Sequence, residues 1–92
     1  MADVIITLKI MPESPETDLE KVKEEAKGKI KDFCGETETR EEMQPIAFGL
    51  KALQIIFVMD ESKGSTDELE KNISGIEGVA SVEVTDVRRA VG

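Results

Sequence analysis

The sequence predicts an α+β domain, with a four-stranded antiparallel sheet carrying two helices on one face. Three observations lead there. Val4, Ile6, Leu8 and Ile10 alternate with Ile5, Thr7, Lys9 and Met11, the period of two that marks a strand. Leu19, Val22, Ala26, Ile30 and Phe33 recur at helical spacing and form one apolar stripe. Residues 50–59 are almost wholly apolar apart from Lys51 and Gln54, as expected of a central strand covered on much of both faces.

In chain order, the first strand runs over residues 4–11 and ends at Pro12 and Pro15, which cannot donate to a ladder. Thr17 or Asp18 caps the helix that begins near Leu19, and Gly28 weakens it by about 1 kcal/mol and is expected to fray its end. Residues 36–43 are too polar for a central strand, and their Thr and charge content fits an exposed edge, where charge discourages aggregation. After the apolar strand, Ser65 or Thr66 caps a second helix bearing Leu69, Ile73 and Ile76, with Gly75 and Gly78 at its end. Residues 79–87 read as the last strand, with Val82 and Val84 inward and Asp86 marking a bulge or the strand end. Strand, helix, strand, strand, helix, strand is the split βαβ, ferredoxin-like order, in which right-handed crossovers limit the topology.

The 92 residues make a single domain, 1–92. A net charge of −8 argues against a phosphate-backbone partner, so no direct nucleic-acid contact is expected, and it favours a protein or cationic partner. With no His and with Cys34 as the single cysteine, neither an intramolecular disulfide nor an ordinary zinc site can be assembled, and Cys34 lacks a base for nucleophilic work. Cys34 therefore reads as a small buried hydrophobe beside Phe33. Asp60, Glu61, Asp67, Glu68 and Glu70 do not have EF-hand spacing and read as a loop, a helix N-terminus and a solvated face. The segment Lys63-Gly64-Ser65-Thr66 lacks the earlier glycine of a phosphate loop. No apolar run reaches the roughly 20 residues needed to span a bilayer and no secretory signal is evident, so no membrane partner and a cytoplasmic location are expected. No cofactor is expected either.

The run Gln44-Pro45-Ile46-Ala47-Phe48-Gly49-Leu50-Lys51-Ala52-Leu53-Gln54, leading into Ile55-Ile56-Phe57-Val58, resembles the nucleotide-exchange domain of translation elongation factor one-beta, most closely its short archaeal form. The resemblance continues through the acidic loop and helix from Asp60 to Glu70 and into Gly78-Val79-Ala80-Ser81-Val82-Glu83-Val84, so the C-terminal half carries it. On spacing alone Phe48 reads as a core residue and Gly49 as a turn glycine. The resemblance implies instead that Phe48 projects from the end of the domain and wedges against a GTPase. That partner would be elongation factor one-alpha, with Pro45, Ile46, Ala47 and Gly49 shaping the approach. The implied activity is guanine nucleotide exchange without covalent chemistry. Lys51 reads as a solvent-facing strand residue.

Arg88 and Arg89 are the only adjacent basic pair and are candidate partner contacts, although a solvated tail is the plainer reading of them. Eukaryotic members of that family commonly finish with a Lys that enters the partner's magnesium site. The sequence here reads Arg88-Arg89-Ala90-Val91-Gly92, and Arg is not an equivalent of that compact charge, so the role is not carried over. A different class of function, a small-molecule-sensing ferredoxin-like regulatory domain, would need a ligand pocket rather than an exposed aromatic turn. A single-stranded RNA binder would need aromatic platforms and a basic surface, whereas the chain has three Phe, no Trp or Tyr, and a net charge of −8.

Overall fold

The computed structural model describes residues 3–35, 38–63 and 66–90, with the side chains of Phe48, Lys63 and Ala90 outside the description. The order is β1 (Asp3–Pro12), α1 (Leu19–Cys34), β2 (Thr39–Pro45), a 3-10 turn (Ala47–Gly49), β3 (Lys51–Asp60), a second 3-10 turn (Glu61–Lys63), α2 (Asp67–Ser74) and β4 (Val79–Ala90). The four strands form one sheet in the order β2-β3-β1-β4, and every neighbouring pair is antiparallel. This is the ferredoxin-like βαββαβ arrangement.

The alternation in β1 buries Ile6, Leu8 and Ile10, which meet Leu53, Ile55, Phe57 and Met59 of β3 in one core. Val22, Ala26 and Ile30 of α1 and Leu69 and Ile73 of α2 close that core from the helix side. Leu19 and Phe33, at the two ends of the α1 stripe, are only partly buried against it. Asp18 supplies the α1 cap: its Oδ1 accepts from the backbone N–H of Glu20 at 3.1 Å and of Lys21 at 3.3 Å. Thr66 occupies the same position before α2, but its hydroxyl donates to Glu70 Oε2 at 3.2 Å and makes no cap bond. Asp67, Glu68 and Glu70 place carboxylates in the first turn of α2, where the helix dipole favours them. Ser65 lies outside the described residues.

Several expectations are corrected. β3 is central, but burial alternates strictly from Leu53 onward: Gln54, Ile56, Val58 and Asp60 are half-buried on a face that no helix covers. An antiparallel sheet with both helices on one side leaves the other open, and its apolar residues are shielded by cross-strand neighbours alone. Gly28 lies inside α1, which continues to Cys34, so it does not fray the helix end. The irregularity in β4 falls at Thr85: Thr7 faces Asp86 while Leu8 faces Val84. The Thr85 hydroxyl donates to the Thr7 carbonyl at 3.4 Å, and Asp86 itself is paired. Cys34 is half-buried rather than enclosed, and its thiol donates to the Ile30 carbonyl at 3.2 Å. Helix α2 ends at Ser74, so Ile76 packs into the core from the following turn.

Candidate functional site

The last ladder pair between the edge strand and its neighbour is Pro45 opposite Lys51. Proline lacks the N–H a central strand would need, and it sits here at the end of an edge strand where none is required. Beyond it the chain closes tightly: the Ile46 N–H donates to the Leu50 carbonyl at 2.7 Å, and the Leu50 N–H donates to the Ala47 carbonyl at 3.2 Å. Gly49 has φ +76°, and a Cβ there would meet nothing within 4 Å. The glycine is thus required by backbone conformation and not by space.

Pro45, Ile46, Ala47 and Gly49 are all exposed. The backbone of Phe48 is the middle of the 3-10 turn, while the expected outward ring lies outside the described side chains. Three large hydrophobic residues among those described stand exposed: Met43 at 38%, Ile46 at 36% and Val87 at 59%. Two of them flank this turn. Met43 had no signal of its own in the sequence, because it sits among Arg40, Glu41 and Glu42 in a polar edge strand.

The ends of β1 and α1 join the turn at the same end of the domain. The Glu13 N–H donates to the Gly78 carbonyl at 2.9 Å, tying the β1–α1 loop to the start of β4. Gly78 has φ +94°, and a Cβ there would lie 2.9 Å from Thr17 Cγ2, so both the turn and the close approach demand glycine.

Arg88 and Arg89 are not brought to this place. Arg89 faces Val4, and Val4 faces Met59 on the other side, whereas the turn adjoins Lys51. At about 3.4 Å per residue along β3 the two ends lie roughly 27 Å apart. Both arginines have partners within the chain: Arg88 Nε bonds Asp86 Oδ2 at 2.8 Å, and Arg89 Nη2 bonds Glu61 Oε2 at 2.6 Å.

Among the described residues no group of three or more His, Cys, Asp or Glu could hold a metal ion, and no helix is long and apolar enough to cross a membrane. Among the acidic residues from Asp60 to Glu70, Asp60 Oδ1 accepts from the Ser62 N–H at 2.9 Å, Glu61 is paired with Arg89 and Glu70 accepts from the Thr66 hydroxyl. Hollows on the helix side are open grooves rimmed by charge, such as the one between α1 and α2 lined by Glu25, Lys29, Asp32, Lys71 and Glu77. The turn is an uncharged protrusion, closed by two backbone hydrogen bonds, on a domain of net charge −8.

Comparison with known proteins identifies the family of the chain. Residues 5–90 match the family model of the EF-1 guanine nucleotide exchange domain. A protein called elongation factor 1-beta in Methanothermobacter thermautotrophicus is 47% identical over 89 residues, covering 97% of this chain and 98% of its own. Proteins of the same name in Metallosphaera sedula and Methanosphaera stadtmanae are 48% identical over 90 residues and 46% identical over 89. The match spans nearly the whole of both partners in each case. The chain belongs to the EF-1 guanine nucleotide exchange domain family.

Proposed function

We propose that the 45–50 turn is the part of this exchange factor that presses on its GTPase, and that the GTPase is elongation factor one-alpha. Membership of the family makes the chain a guanine nucleotide exchange factor of translation elongation. The observation that carries the assignment to the turn is its build: exposed apolar residues on a backbone closed by two hydrogen bonds, at the end of a domain of net charge −8. A preorganised apolar protrusion loses little entropy on docking and suits an anchor in a partner's cleft.

The domain then works by linkage and performs no covalent chemistry. A protein that binds the nucleotide-free GTPase more tightly than the GDP form weakens GDP by the same factor. A wedge that displaces the segments holding the phosphates and magnesium removes contacts that keep GDP bound. GTP rebinds because it is abundant, and the factor accelerates both directions without supplying a driving force. The setting is the cytoplasm, where translation takes place. Arg88 and Arg89 form a lesser docking contact at the far end of the sheet, contributing affinity and not displacement. An acidic factor seeking a basic partner surface also associates more slowly as salt rises.

Release of labelled GDP from purified elongation factor one-alpha, with and without this chain, tests the reading. Acceleration at sub-stoichiometric factor is expected, and its absence overturns the proposal.

A further inference from the structure

Strand β4 is the longer of the two sheet edges, with 12 residues against 7 in β2, and its outer flank meets no other strand. We infer that this edge pairs, antiparallel and about a twofold axis, with the same edge of a second copy of the chain, joining two four-stranded sheets into one. Dimerisation of this kind does not depend on the exchange reading.

The other edge is blunted, since Arg40, Glu41 and Glu42 put charge on both of its faces and Pro45 ends it. Strand β4 has neither Lys nor Pro. Its Val87 is 59% exposed, although it stands opposite Ile6, which is 3% exposed. Val87 therefore lies on the helix side of the sheet but at its open flank, where a further strand would cover it.

The bulge at Thr85 sets the register. Val82 and Val84 face Ile10 and Leu8, and Val87 and Arg89 face Ile6 and Val4, so all four lie on the helix side despite their odd separations across the bulge. Glu83, Asp86 and Arg88, opposite Lys9, Thr7 and Ile5, lie on the open side. A twofold pairing that matches faces must then set a residue before the bulge opposite one after it. With Thr85 opposite the copy's Asp86, Val84 meets Val87 on the helix side and Glu83 meets Arg88 on the open side, each contact occurring twice. A slip of two residues brings Glu83 opposite Asp86 in one direction and Val84 opposite Arg89 in the other, and both lose the match.

Charge identifies the occupant as this same chain. Lys9, Glu83, Asp86 and Arg88 are neighbours on the open side and sum to zero, so the −8 is carried elsewhere. Glu83 is exposed. Arg88 bonds its own Asp86 through Nε at 2.8 Å, which leaves both terminal nitrogens of the guanidinium for the copy's Glu83. The two Asp86 carboxylates approach at the axis, each against its own arginine. A segment of another protein would have to reproduce an order of faces and charges that β4 already carries. Because Arg88 is also offered to the GTPase, the copy and the GTPase exclude each other at that end, while the 45–50 turn, across β1, stays open in the dimer.

The test is sedimentation equilibrium of the full chain up to about 1 mM, the range of a weak complex. A dimer that dissociates on dilution is expected. Glu83→Arg and Arg88→Glu are each expected to raise its dissociation constant tenfold or more. Both changes in one chain should restore it, and an equimolar mixture of the two single variants should form a heterodimer in which both contacts return. Net charge alone predicts otherwise, because Glu83→Arg takes the chain from −8 to −6 and would ease association. Circular dichroism melts verify folding, and either single variant carries the test if the other fails to fold. A wild type that stays monomeric over the whole range overturns the inference. So does a dimer that moves less than twofold in the folded single variants, or one that tightens in Glu83→Arg.

Discussion

Arg89 Nη2 lies 2.6 Å from Glu61 Oε2, joining the end of β4 to the turn that leads from β3 into α2. The pair bridges 28 positions of sequence, and both side chains remain largely in water, 69% and 41% exposed. Such a pair stabilises a fold by about 0–1 kcal/mol. Its neighbour Arg88 is held by Asp86 on the same strand. Replacing both arginines by Ala is therefore expected to shift the urea midpoint only slightly. Because they lie at the opposite end from the turn, the maximal GDP-release rate should stay within twofold of wild type while half-saturation rises a few-fold. A tenfold fall in maximal rate with the fold intact would move the displacing element to this end.

Lys27 Nζ meets Glu41 Oε1 at 2.8 Å, linking α1 to the edge strand. The hydrogen bond from Lys27 holds the Glu41 carboxyl below its ordinary value of 4.5, against the opposing effect of partial burial. A depressed carboxylate contributes stability that is full above the unfolded value and is lost as pH falls through the folded one. With Lys27 40% and Glu41 20% exposed, the share is on the order of 0.5–1 kcal/mol. Lys27→Met should thus be less stable than wild type at neutral pH, and the two should converge in acid below the Glu41 titration. Urea midpoints measured at both ends of that range decide it, and a gap that persists in acid would assign the effect to packing of the Lys27 stem.

Leu69 is fully buried between α2 and the sheet. Leu69→Ala should cost on the order of 2–5 kcal/mol through lost burial and a residual cavity. A denaturant midpoint close to wild type would show that α2 does not press on the core as described.

What the sequence made legible follows from how strongly each residue set is constrained. β1, the α1 stripe and the Leu69–Ile73 pair obey one periodicity over their whole length, so a single packing answer satisfies them. The polar run Arg40-Glu41-Glu42 marks an edge because three successive charges, which put charge on both faces, suit an exposed strand. Ile56 and Val58 misled, since apolar residues on an open sheet face look like residues buried on both sides. Gly28 misled because a glycine inside a helix costs little against the burial of Val22, Ala26 and Ile30 around it. The site was harder. That Gly49 and Arg89 stand at opposite ends is a consequence of strand register, which no local pattern in either segment encodes. Met43 lies on the helix side of the sheet opposite buried Leu53 and is still 38% exposed, a fact of layer geometry.

Phe48 separates wedge from packing residue most cleanly. Its backbone sits in a turn whose described neighbours, Ala47 and Gly49, are exposed, and Gly49 holds that turn at φ +76°. If the ring enters the GTPase, Phe48→Ala should lower maximal exchange by about tenfold or more, a loss of roughly 1.4 kcal/mol at the anchor. Stability should then change by less than about 0.5 kcal/mol, as for other surface truncations. If the ring instead folds back on the domain, the same change should cost about 3–5 kcal/mol of stability. Both quantities have to be read on one protein: a thermal melt, and GDP release at a temperature where the variant is fully folded. Gly49→Ala provides the companion measurement, since its added methyl meets nothing and its cost of roughly 1–2 kcal/mol comes from the positive φ alone. A deformed turn that still carries Phe48 should lose exchange together with the Ala variant. A Phe48→Ala protein that melts early yet exchanges normally in the cold would remove the wedge and leave the ring a packing residue.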